Sequence, residues 1–228
     1  MEALRLHQVK KYFHEGEHVV HAVDGIDLTI EKGAFASLAG PSGSGKTTLL
    51  NLAGGLDRPD MGEIAIDGEL TNDCSDNELT DIRLRKMGFV FQAYNLIPVL
   101  TTFENIQFIL QIQGVPEREH RDRIIPLLEE LGLGGMDKRF PTQLSGGQQQ
   151  RVAVARAVVG NPTLVLADEP TANLDSETSG TLLDLMRKLN EEKGVTFLFS
   201  THDPIVIQRA RRVIRLLDGK IQTEEVRN

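Results

Sequence analysis

The residues Gly40-Pro41-Ser42-Gly43-Ser44-Gly45-Lys46-Thr47 carry the spacing G-x-x-x-x-G-K-[ST] in full. That spacing suits phosphate. The glycines let backbone N–H groups approach phosphate oxygens, and a helix starting at the loop's end would aim its positive pole at the same anion. Lys46 would neutralise charge on the β- and γ-phosphates, and the Thr47 hydroxyl would ligate Mg²⁺. A second grouping is Asp168-Glu169, which ends the apolar run Leu164-Val165-Leu166-Ala167. Both carboxylates would then sit at the C-terminal edge of a sheet, where open α/β sheets bind their ligands. A third is Leu144-Ser145-Gly146-Gly147-Gln148, a Gly-rich turn leading into a helix. It reads as another anion site or as a Ser cap. Gln92, after the strand-like Gly88 to Phe91, and His202, after Phe197-Leu198-Phe199-Ser200, are weaker alone. A solvated glutamine and a core histidine describe them as well.

These groups need elements to hold them. Leu4 to Val9 and Val19 to Ile30 read as strands, the latter with Ile26, Leu28 and Ile30 alternating. Ala34 to Ala39 is a buried strand feeding the first Gly-rich loop, and Lys46 to Ala53 a helix closed near Gly54-Gly55. Glu63 to Ile66 is a short strand before the turn Asp67-Gly68. Phe103 to Gln113 and Glu117 to Leu131 have helical periodicity, with Pro126 expected to kink the second or delay its start. Gln148 to Val159 and Ser176 to Glu192 read as helices. Thr163 to Ala167 and Val195 to Ser200 read as buried strands, and Arg212 to Val226 as a hairpin turning at Asp218-Gly219. Apolar strands alternating with helices predict an α/β fold with a mainly parallel sheet covered on both faces.

Bulk properties narrow the classes. The chain has 228 residues and a formal net charge of −8, with 40% hydrophobic and 25% charged residues. That is enough chain to bury a sizeable core. The acidic balance argues against a nucleic-acid surface. The densest basic run, Arg209, Arg211, Arg212 and Arg215, lies near acidic residues and reads as a solvated face. A single cysteine, Cys74, excludes an internal disulfide framework and reads as an inert surface thiol. No apolar run approaches the length of a membrane span, and the first residues lack a signal-peptide layout. The expected location is cytoplasmic, with any membrane association through a partner.

Taken in this order, the three groupings resemble the ATP-binding cassette (ABC) family over essentially the whole chain. The resemblance implies a P-loop NTPase core with an N-terminal antiparallel β subdomain and an inserted helical subdomain. Residues 1–92 and 160–228 would form the RecA-like core with the β subdomain, and 93–159 the helical subdomain. It implies Mg²⁺-dependent ATP hydrolysis. Gly40, Ser42, Gly43, Ser44, Gly45, Lys46, Thr47 and Thr48 would bind ATP, and Tyr12, just before the β run, would stack on adenine. Tyr12-Phe13 offers two candidate rings. Thr47, Gln92 and Asp168 would serve Mg²⁺, Glu169 would act as general base, and His202 and Gln92 would sense the γ-phosphate. Ser145 and Gly147 would contact the γ-phosphate held by the opposite subunit of a homodimer. Asn173-Leu174-Asp175 would cross the dimer interface, with Asp175 also placed to cap a helix.

Three stretches narrow the resemblance: Leu52 to Asp57, Phe91 to Pro98 and Leu166 to Asp175 look like the branch holding lipoprotein-releasing ATPases of the LolD type and MacB-type macrolide exporters. Tyr94-Asn95-Leu96 is nearer the macrolide-export pattern, although those exporters fuse a membrane segment to the ATPase and this sequence ends without one. The resemblance implies an ATPase that powers separate membrane permease subunits from the inner face of the membrane. A mechanical ATPase regulating a cell-envelope enzyme through a membrane partner is the alternative. The apolar run Tyr94, Leu96, Ile97, Pro98, Val99 and Leu100 is expected to dock a permease helix or to pack inside the helical subdomain.

Overall fold

A computed structural model describes residues 1–16 and 18–227. A long hairpin opens the chain, with β1 (Glu2–Glu15) antiparallel to β2 (His18–Glu31). Then come β3 (Phe35–Ala39), α1 (Lys46–Ala53), β4 (Met61–Ile66), β5 (Glu69–Leu70), α2 (Asp76–Lys86) and β6 (Met87–Val90). The middle is helical: α3 (Thr102–Ile112), α4 (Glu117–Glu130), a 3₁₀ turn over Pro141–Gln143 and α5 (Gly146–Val158). The remainder is β7 (Leu164–Asp168), α6 (Ser176–Lys193), β8 (Phe197–Thr201), α7 (Pro204–Arg209), β9 (Arg212–Leu217) and β10 (Lys220–Val226).

Two sheets result. The N-terminal one is antiparallel, in the order β2-β1-β4-β5. The other runs β10-β9-β3-β8-β7-β6 and is parallel except for its edge strand β10. Strands β3, β7 and β8 are mostly apolar because both their faces are covered, with Ser37 inside β3 and polar residues at the ends of β7 and β8. Alternation sorts their side chains into two cores. Phe35, Val165, Ala167, Phe197 and Phe199 face the core shared with α3, α4, α5 and α6. Leu38, Leu164, Leu166 and Leu198 face the core shared with α1 and the antiparallel sheet.

Several sequence expectations are corrected. Pro126 does not delay α4, which starts at Glu117 and runs through it. Helix α2 carries only Leu79 and Ile82 as buried residues, so it has no strong apolar stripe. A reciprocal capping box between Ser75 and Glu78 starts it. Cys74 is half-buried, not a surface thiol. It packs against the second core with its Sγ 3.3 Å from the Leu70 carbonyl. The basic run, by contrast, keeps its reading as a solvated face: Arg209 pairs with Asp184, Arg211 with Glu191 and Arg212 with Glu224. Among the described residues no helix is long and apolar enough to cross a membrane.

Candidate functional site

Strands β3, β8, β7 and β6 are consecutive neighbours, and they end level with one another: Ala39 opposite Thr201, Asp168 opposite Ser200, Val90 opposite Ala167. The loop after each strand therefore emerges at one edge. These loops carry the Gly-rich segment, His202, Glu169 and Gln92. Residues far apart in sequence are gathered because parallel strands share one C-terminal edge.

The first loop is backed by protein on its far side. Gly45 has φ of 95°, and a Cβ there would lie 2.1 Å from the carbonyl oxygen of Ala22 in β2. Only glycine meets both demands. The β9–β10 turn closes the other flank, with the Gly219 N–H donating to the Ser44 carbonyl at 3.2 Å. Lys46 opens α1 and is buried. Its ammonium donates to the carbonyls of Gly40 and Pro41, each at 2.8 Å. The Thr47 hydroxyl lies 3.3 Å from a carboxylate oxygen of Asp168. These are hard oxygen donors side by side, the donor type Mg²⁺ takes.

Glu169 has the left-handed φ of 44°, which strains a residue with a side chain. The β8 pairing holds it there, because its N–H donates to the Ser200 carbonyl at 2.9 Å. The Thr201 hydroxyl donates to one carboxylate oxygen at 3.1 Å, and His202 Nδ1 lies 2.7 Å from the other. Behind this pair the Thr171 hydroxyl donates to Asp203 at 2.8 Å, joining the loops that follow Glu169 and His202.

A cleft of about 810 Å³ connects these groups. Ser42, Gly43, Gly45, Lys46, Thr47 and Thr48 line one wall, and Gln92, Glu169 and His202 line another. Its volume lies within the usual range for a small-molecule site. Gly40, Ser44 and Asp168 are not among its lining residues: Ser44 is buried, and the Asp168 carboxylate meets the Thr47 hydroxyl. Tyr12, expected on adenine, is absent from the lining, and Phe13, Val20 and His21 take that wall. The β1–β2 pairing shifts register between Lys11 and Tyr12, and neighbouring strand residues face opposite ways. Tyr12 instead sits edge-on to His21, with ring centroids 4.6 Å apart.

The second Gly-rich turn lies apart from this cleft. Ser145 caps α5 reciprocally with Gln148. A Cβ on Gly147 would fall 2.4 Å from the Thr178 methyl of α6, so this turn too needs glycine. Asp175 caps α6, and the Thr178 N–H and hydroxyl donating to it hold its carboxyl below the usual range. Asn173 donates to the Gln92 carbonyl at 2.9 Å, tying its segment to the Gln92 loop.

Sequence reasoning missed how the Gln92 loop is held. Tyr94 and Asn95 both have left-handed φ, 57° and 50°. Arg156 of α5 donates to both of their carbonyls, and burial lowers the pKa of its guanidinium. Asn105 of α3 is buried and holds both the N–H and the carbonyl of Ile97. Polar residues inside amphipathic helices give no signal of such partners.

The apolar run after Gln92 is divided. Leu96 packs on the first core. The Tyr94 hydroxyl sits where a Cβ on Gly146 would come within 2.8 Å of it, against the second Gly-rich turn. Ile97 instead lines a separate groove of about 520 Å³, together with Leu56, Phe89, Phe108 and Ile112. Leu56, Phe108 and Ile112 are exposed there.

The family model described as ABC transporter matches residues 23–172. The ATP-binding protein MJ0796 of Methanocaldococcus jannaschii is 47% identical over 228 residues, spanning 97% of this chain and 96% of that one. Its dimeric structure, described as a post-hydrolysis state bound to ADP and Pi, matches with a TM-score of 0.89 over 99% of both chains. The lipoprotein-releasing system ATP-binding protein LolD 1 of Rhodopseudomonas palustris is 45% identical over 96% of this chain and 98% of its own. The macrolide export protein MacB of Syntrophobacter fumaroxidans is 46% identical over 98% of this chain, which spans 32% of MacB's length.

Proposed function

The chain belongs to the ABC transporter family of ATP-binding, ATP-hydrolysing cassettes, and from that premise we propose that it drives a separate membrane permease, for export or lipoprotein release, as a nucleotide-dependent homodimer. The carrying observation is the Glu169 carboxylate, held by Thr201 and His202 on the wall of the cleft that contains Lys46. A carboxylate fixed in this way can take a proton from water attacking a phosphoryl group. Lys46 would exchange its two carbonyl acceptors for phosphate oxygens. Phe13 and Tyr12 are the two aromatic candidates for the base, and Phe13 has the wall position.

Thr47, Asp168 and Gln92 would hold Mg²⁺, which supplies neutralisation of phosphate charge when bound. Ser145 and Gly147 belong to the partner's site in this reading. Its support is that they stand off their own chain's cleft and that MJ0796 is described as dimeric. Residues 93–159 would move as one helical unit, carrying that turn.

The groove beside the Gln92 loop would receive a permease helix, with Leu56, Phe108 and Ile112 as apolar anchors. The LolD and MacB likenesses support a membrane role at the cytoplasmic face. Affinity purification through a tag on this chain, from detergent-solubilised membranes, tests the proposal. A multispanning membrane protein should co-purify in stoichiometric amount. Recovery of the tagged chain without one from such membranes, under conditions that keep other transporters intact, would overturn it.

A further inference from the structure

Gln150 lies on α5, five residues beyond Ser145, and is fully buried. Its side-chain amide donates to two backbone carbonyls on different segments, Pro170 at 2.8 Å and Phe91 at 3.3 Å. Phe91 immediately precedes Gln92, and Pro170 immediately follows Glu169. The ladder between β6 and β7 ends at Val90 opposite Ala167, and beyond it the Asn173 side chain on the Gln92 carbonyl is one link between the two loops. Gln150 supplies a second link, from a different element and next to both Gln92 and Glu169. It does so from the helix whose first turn presents Ser145 and Gly147.

Burial volume alone does not account for a glutamine here. Its Oε1 is buried without a protein hydrogen-bond partner among the described residues. An unpaired buried acceptor opposes folding, whereas methionine would fill similar space without one. The amide is therefore retained for what its N–H groups hold. We infer that Gln150 is a positioning residue, setting the separation between Gln92 and Glu169 and passing any shift of α5 to both loops. The inference rests on the assignment of Gln92 and Glu169 to nucleotide chemistry. It adds a route by which the second Gly-rich turn reaches its own chain's hydrolytic groups.

The test is Gln150→Met in the full chain, measured for melting temperature, affinity for a fluorescent ATP analogue, and kcat and KM for ATP. The expected result is an unchanged or raised melting temperature, analogue affinity within about twofold and kcat lowered about 10- to 100-fold, the scale of misplacing a reacting group by about an ångström. Wild-type kcat in a folded variant would overturn the inference. So would parallel losses of melting temperature, affinity and kcat, which mark a purely structural role. Should Gln150→Met not fold, Gln150→Asn keeps an amide but falls short of both carbonyls, and the same criteria apply. Glu169→Gln is measured alongside. Normal turnover in that variant removes the underlying assignment, whereas normal turnover in Gln150→Met alone removes only the bridge.

Discussion

His202 Nδ1 lies 2.7 Å from Glu169 Oε1. With the carboxylate ionised, Nδ1 is the donor of this bond, because an ionised carboxylate only accepts. The pair is one unit: the imidazole holds one carboxylate oxygen while the Thr201 hydroxyl holds the other.

Glu169→Gln keeps the size of the side chain and loses its basicity. ATP hydrolysis should fall by about 10²–10⁴-fold, the usual contribution of a general base, with ATP binding retained. Steady-state turnover and equilibrium nucleotide binding, measured on the same preparation, check this.

His202→Ala leaves Thr201 as the carboxylate's remaining side-chain partner. Turnover should fall by roughly 10–10²-fold, the cost of a misaimed but intact base. The loss should be smaller than in Glu169→Gln. Combining the two changes should cost little beyond the larger single loss, because they act on one unit. A double-mutant cycle on kcat measures this.

Lys46→Ala and Ser145→Arg should each silence the homodimer, for different reasons. If Ser145 serves the partner's nucleotide, mixing the two variants creates dimers with one doubly damaged site and one intact site. ATPase activity should then partly return as the variants are titrated together. Two equally damaged sites would leave the mixture silent and sink the composite arrangement.

Phe108→Glu or Ile112→Glu places charge in the lining of the apolar groove, at exposed positions. Each should abolish co-purification of the membrane partner while the isolated chain keeps its melting temperature and ATP binding. Tyr94→Glu should behave differently. Its ring lies against Gly146, so the substitution should lower ATPase activity in the isolated chain as well. Paired pull-downs and ATPase assays separate the two outcomes.

The parts legible in the sequence were those with local causes. The loop into α1, the hairpin at Asp218-Gly219 and the buried strands each follow from residue spacing, turn chemistry or apolar runs. Helix α2 escaped because it buries only Leu79 and Ile82, yet its cap, Ser75 with Glu78, was a readable signal. Tyr12 and Phe13 could not be told apart. Which of the two rings lines the cleft depends on a register shift between Lys11 and Tyr12, which pairing creates and composition does not record. Gln150 and Arg156 look like ordinary polar residues on a helix. Their importance lies in which carbonyls happen to be opposite, and that is a tertiary fact.

The sheet order has a consequence for the chain as it is made. Strand β3 lies between β8 and β9, so both its hydrogen-bonded neighbours come from residues after Val195. During N-to-C synthesis the segment Phe35–Ala39, and the phosphate loop attached to it, gains both neighbours only after residues through Leu217 have left the ribosome. Pairing across such a separation is intrinsically slow. The phosphate loop thus gains its strand support late, and β3 stays an unpaired apolar strand, open to chaperones and to misassociation, while it waits.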